Sequence, residues 1–96
     1  MYVSVIARKA EAELNQLVLY VESEKAGFGL VLLSEFEQTV LYIRQFPKAA
    51  PVRRNRLRHI VIGRFPVLII YEFFHNKIHI IRVIHAARRP ALRYKK

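Results

Sequence analysis

The sequence predicts an α+β domain of order βααβββ, an antiparallel sheet of about four strands with an α-helical hairpin packed on one face. Three observations carry this. Apolar residues alternate at the start, recur at helical spacing through the middle, and return to strand-like runs from residue 56 onward. Gly27 and Gly29 divide the helical stretch, and Phe46-Pro47 closes it. From Gly63 on, two β-branched and aromatic runs are separated only by a short polar turn.

The first strand is expected over residues 2–6, a β-branched run with Ser4 at its middle. A helix follows over 8–25, where Ala7, Ala10, Leu14, Leu17, Val18 and Val21 recur at helical spacing. Glu11, Glu13, Glu22 and Glu24 lie elsewhere around it, and Ser4 or a neighbour is the candidate cap. The second helix is expected over 30–46, with Leu33, Phe36, Val40 and Ile43 as its apolar stripe. The short connection between them predicts an antiparallel hairpin. Residues 48–55 read as a loop. Strands are expected over 56–62, 65–74 and 77–85, with turns at Gly63-Arg64 and at His75-Asn76-Lys77. Pro66 can sit only near a strand start. Residues 91–96 form a basic tail, expected to be ordered only by a partner.

Ninety-six residues make one domain, and a hydrophobic fraction of 53% excludes a disordered chain. Charge is unevenly placed. Residues 1–50 carry five Lys or Arg against six Glu, net −1, whereas residues 51–96 carry twelve against Glu72 alone, net +11. Such a polarised surface attracts nucleic acid or an acidic protein. The absence of cysteine excludes disulfides and thiol chemistry and suits the cytoplasm. The first residues lack the apolar core of a signal peptide. The longest apolar run, Phe65 to Tyr71, falls far short of the ~20 residues of a membrane helix, so no membrane partner is expected.

Two groups of residues could carry chemistry. On a strand, Arg54, Arg56 and Arg58 project to one face as cations at ~7 Å intervals, a match for phosphates. The bland alternative is an edge strand kept charged against aggregation. At the end of the last strand, His85, Arg88, Arg89, Arg93 and Tyr94 gather in a basic hook. Metal-free RNA cleavage needs a base, an acid and cations for the phosphorane. His85 or Tyr94 could move protons there, and Arg88 could stabilise charge. Glu72 is the only carboxylate of the back half, which argues against carboxylate-driven hydrolysis. No metal or other cofactor is expected. His79 and His85 read as one face of the last strand but ~20 Å apart, too far to share an ion. His75 and His79 flank the hairpin turn and have no carboxylate nearby in sequence.

Several short patterns occur in a particular order. They are Ala10, Glu13, Leu14, Leu17 and Tyr20 in the first helix, Phe46-Pro47, Arg64-Phe65-Pro66 leading to Ile70-Tyr71, and the closing VIHAARRP with His85, Arg88 and Arg89. In this order the chain resembles the RelE/ParE toxins of bacterial type II toxin–antitoxin systems over nearly its whole length. The resemblance implies a growth inhibitor neutralised by a cognate acidic antitoxin, whose disordered segment wraps the toxin. It also implies one of two activities. RelE-like members cleave mRNA on the ribosome without metal, and His85, Arg88 and Tyr94 would then be catalytic. ParE-like members inhibit DNA gyrase, and Arg54, Arg56, Arg58, Arg64, Arg88 and Arg89 would then contact the target. Leu68 stands where the nucleases usually place an arginine, and Arg64-Phe65-Pro66 with the HxxRR ending is more ParE-like. The ParE-like reading is favoured. A plain nucleic-acid-binding module is the third expectation.

Overall fold

The computed structural model describes residues 1–86. Its elements are β1 (Val3–Ile6), α1 (Arg8–Glu24), α2 (Phe28–Gln45), β2 (Val52–Arg54), β3 (Leu57–Val61), β4 (Val67–Phe74) and β5 (Lys77–His85). The two helices and the last three strands fall where periodicity places them. No helix among these residues is long and apolar enough to cross a membrane.

The sheet departs from expectation in two ways. Among the described residues it has five strands in the order β1-β5-β4-β3-β2, and it is mixed, because β1 pairs parallel with β5 while the other pairs are antiparallel. The extra strand, β2, lies in the segment expected to be a loop. It is only three exposed residues long and pairs on one side alone, so it carries no alternation of apolar residues to betray it. The predicted start of β3 at Arg56 also shifts. Asn55 and Arg56 have φ of 48° and 67° and form a two-residue hairpin turn instead.

A bulge in β5 decides which way the end of that strand faces. Ile70 pairs with Arg82 and Tyr71 with Ile80, so Ile81 has no partner on β4. An extra residue reverses the in–out alternation beyond it. Ile78 and Ile80 face the helices before the bulge, and Val83 faces them after it. His79 therefore shares the face turned away from the helices with its partner Glu72, whereas His85, paired with Val67, lies on the helix side. The expectation that both histidines occupy one face is corrected.

The helices cover one face of the sheet. Ala10, Leu14, Leu17 and Val21 of α1 and Leu32, Phe36 and Ile43 of α2 pack on Val67, Ile69, Tyr71, Ile78, Ile80 and Val83. No side chain caps α1; its N-cap is Ala7, with extended backbone, and Ser4 plays no such part. Of the two glycines expected to break the helix, only Gly27 does so, at φ 91°. Gly29 lies inside α2, where a Cβ would come within 3.1 Å of the Val18 carbonyl oxygen. Its bare backbone lets the two helices approach.

Glu22 of α1 caps α2. Its carboxylate accepts hydrogen bonds from Gly27 N at 3.0 Å and Gly29 N at 2.9 Å, amides that an isolated helix start leaves without partners. Those bonds hold its carboxyl below the usual value. A depressed folded-state pKa means stability that is present above the ordinary carboxylate range and lost as pH falls through the folded value. Glu22→Gln is therefore expected to lower the melting temperature at pH 7. The gap from wild type should close as the pH is taken below the carboxylate range. A gap of constant size across that range would show that the charge contributes nothing.

Candidate functional site

The far end of β5 is held from three sides. β1 stops at Ile6, opposite Ile80, so beyond that point β5 loses its outer neighbour. The edge amide of Val83 would stand open there. Glu13 of α1 fills the place of a strand: its Oε1 accepts from Val83 N at 3.0 Å, and its Oε2 accepts from Arg82 Nε at 2.8 Å. A second guanidinium nitrogen of Arg82 lies 2.6 Å from the same oxygen. Both side chains are largely sheltered, at 17% and 18% exposure, so water screens this pair less than a surface one. Further along α1, the Tyr20 ring meets His85 edge-on, with centroids 6.2 Å apart.

The third restraint comes from the β3–β4 loop. Ala86 N donates to the Pro66 carbonyl at 2.6 Å. That loop is itself tied to α2, where Glu35 accepts from Arg64 N at 3.2 Å and from Arg64 Nε at 2.9 Å. Gly63 makes the approach possible. Its φ is +27°, and a Cβ there would lie 2.5 Å from Glu35 Oε1. The chain thus reaches Ala86 with its position set by Glu13, Tyr20 and the loop around Pro66.

His85 is the described member of the strand-end group. Arg88, Arg89, Arg93 and Tyr94 lie outside the described residues. The arginine row is not on one strand face. Arg54 ends β2, Arg56 sits in the turn, and Arg58 alone lies within β3. Arg58 pairs with Tyr71 and donates to the Ala50 carbonyl at 2.5 Å, so it holds the 46–51 loop. Tyr71 does the same through a 2.9 Å bond from its hydroxyl to the Pro47 carbonyl, and burial pushes its phenol above the ordinary value. Arg64 is the latch on Glu35, although its side chain remains 66% exposed. No group of three or more His, Asp or Glu among the described residues could hold a metal ion.

Sequence reasoning places Glu13 off the apolar stripe and in the family pattern without a structural role, and gives Glu35 no part. A signal for Glu13 exists: it precedes Leu14 and follows Ala10 by three, which puts it at the border of the buried stripe. Spacing also leaves His79 without a carboxylate, yet the register sets Glu72 directly across from it. That relation depends on strand pairing and cannot be read from the order of residues.

Comparison with known proteins agrees with this architecture. Residues 5–90 match the family model described as the ParE toxin of the type II toxin–antitoxin system, parDE. A solved chain titled "Chromosomal ParDE TA system from P. aeruginosa" superposes with a TM-score of 0.74, at 20% sequence identity, covering 88% of this chain and 96% of that one. At that identity the likeness shows the fold. No curated protein matches the chain. The family match spans nearly the whole sequence, from β1 through the basic hook, and with it the chain belongs to the ParE toxin family of type II toxin–antitoxin systems.

Proposed function

We propose that this toxin inhibits growth by binding DNA gyrase in the cytoplasm, and that a cognate acidic antitoxin neutralises it. The observation that carries the gyrase reading over ribosome-dependent mRNA cleavage is Leu68. It lies on the face of β4 turned away from the helices and is only 8% exposed, and the family resemblance puts an arginine at this place in the nuclease branch. His85 supports the same reading, since it packs toward α1 rather than onto that face. The restrained end of β5 then serves as a platform from which the sequence carrying Arg88 and Arg89 meets the target. Arg54, Arg56 and Arg64 are exposed and add a long-range attraction. For the antitoxin, a groove of about 340 Å3 between α2 and β1, lined by Ser4, Ile6, Phe36, Glu37, Val40, Leu41, Arg44 and Ile80, offers a mostly apolar seat with one cation at its side.

A metal-free, ribosome-dependent nuclease is the second reading. Glu72 and His79 stand opposite one another in the β4–β5 register, and a carboxylate and an imidazole are the residue types that acid–base cleavage uses. Brief expression of the toxin separates the two. Under the gyrase reading, DNA breaks trapped on gyrase accumulate while mRNA stays whole. Cleavage of mRNA within ribosomes, without any gyrase-linked breaks, would overturn the proposal in favour of the nuclease.

A further inference from the structure

Two hairpin turns meet at the end of the sheet opposite His85. The β2–β3 turn is Asn55-Arg56 and the β4–β5 turn is His75-Asn76, and β3, β4 and β5 are neighbours in the sheet. All four residues have positive φ, between 48° and 67°, and none is glycine. Two-residue hairpins favour glycine in such positions because it adopts them without steric cost. Asparagine and histidine are tolerated there, but arginine is an unusual occupant, and strain held in a turn is a pointer to function.

The left-handed turn has a visible result. Successive side chains on a strand point to opposite faces. At His75 the backbone instead brings the imidazole back over its neighbour, so the rings of Phe74 and His75 stack with centroids 3.9 Å apart and planes inclined by 25°. The Arg56 guanidinium lies over the same Phe74 ring, 4.3 Å from its centroid, and 4.0 Å from Glu72. Phe74 and His75 are both exposed. Arg53 and Arg54 end β2 just before the first turn, Lys77 opens β5 just after the second, and all three are exposed. β2 and β5 are three strand spacings apart, about 14 Å, so cations flank a flat aromatic group on both sides.

We infer that this hairpin end binds single-stranded nucleic acid, with a base stacked on the outer face of His75 and phosphates held by Arg53, Arg54 and Lys77. The chemistry is that of known single-strand binding: planar side chains take a base face of any sequence, and a basic surround tracks the backbone. A duplex keeps its base faces covered and cannot use the stack. A charged edge that merely prevents aggregation accounts for Arg53 and Arg54 on β2. It does not account for the stack of His75, Phe74 and Arg56, which lies off that edge. The surface is distinct from the strand-end site, since β5 runs from Lys77 to His85, a length of about 27 Å.

The test is fluorescence anisotropy of the full chain with a labelled oligo(dT) strand, a duplex of equal length, and polyglutamate as competitor. The single strand should bind more tightly than the duplex, and affinity should fall steeply with salt. His75→Gly, which takes the 54° φ without strain, should weaken single-strand binding about tenfold and leave duplex binding unchanged. His75→Phe, which restores a ring, should recover most of it. Equal affinity of wild type and His75→Gly for oligo(dT) would overturn the inference. So would a preference for duplex, or competition by polyglutamate at equal charge as strong as by oligo(dT), which would mark a surface for acidic proteins.

Discussion

Replacing Glu13 by alanine is expected to destabilise the protein by about 2–3 kcal/mol. The substitution strips two groups at once. Arg82 loses the carboxylate that holds it at 2.6 Å, and Val83 N loses the acceptor that serves it along an edge β1 does not reach. A charge left unpaired in a sheltered place costs more than the pair itself contributed. Glu13→Gln keeps an acceptor for Val83 and removes the charge, so a loss of about 1 kcal/mol is expected. Urea unfolding at constant m-value measures both. A double-mutant cycle with Arg82→Ala should return a coupling energy well above 0.5 kcal/mol, roughly the limit of additivity for independent sites. If Glu13→Ala unfolds at the same urea concentration as wild type, the carboxylate is not holding β5.

The same residue shows where sequence reading reaches and where it stops. Both helices are legible because their apolar stripes are local, and β4 and β5 because an apolar run on each side of His75-Asn76 leaves few alternatives. The parallel seat of β1 beside β5 is not, since it depends on which strand of the later meander has a vacant edge. The bulge at Ile81 escapes for a related reason. Nothing within IHIIRVIH marks the place where β4 and β5 lose register, yet that one residue moves His85 to the helix side. The arginine row fails through a two-residue turn. Asn55-Arg56 lacks the glycine that announces such a hairpin, so three arginines at even spacing look like one strand. Glu13 and Tyr20 are visible as parts of a family pattern, without the structural reason for it. Each is a helix residue whose partner lies far along the chain, at the end of β5.

Those anchors make the basic sequence beyond Ala86 the most informative place to probe activity. Under the proposed gyrase reading, Arg88→Ala and Arg89→Ala should each reduce gyrase inhibition about tenfold, the loss expected for one charge-assisted contact of ~1.4 kcal/mol at an interface. Tyr94→Phe keeps the ring and should leave growth inhibition unchanged. The nuclease reading exchanges the places of Tyr94 and Arg89 in the ranking. There Tyr94→Phe and Arg88→Ala each remove a group needed in the transition state, so cleavage should fall far more than ribosome binding. Arg89→Ala would matter less. Growth assays, run beside gyrase cleavage assays and with folding checked by circular dichroism, read out the ranking directly. Two outcomes besides these carry weight. A Glu13→Gln protein that is folded at the assay temperature yet less toxic would tie the hook's action to the position of β5. Full toxicity in Arg88→Ala, Arg89→Ala and Tyr94→Phe alike would refute a strand-end site under both readings and point to the opposite end of the sheet.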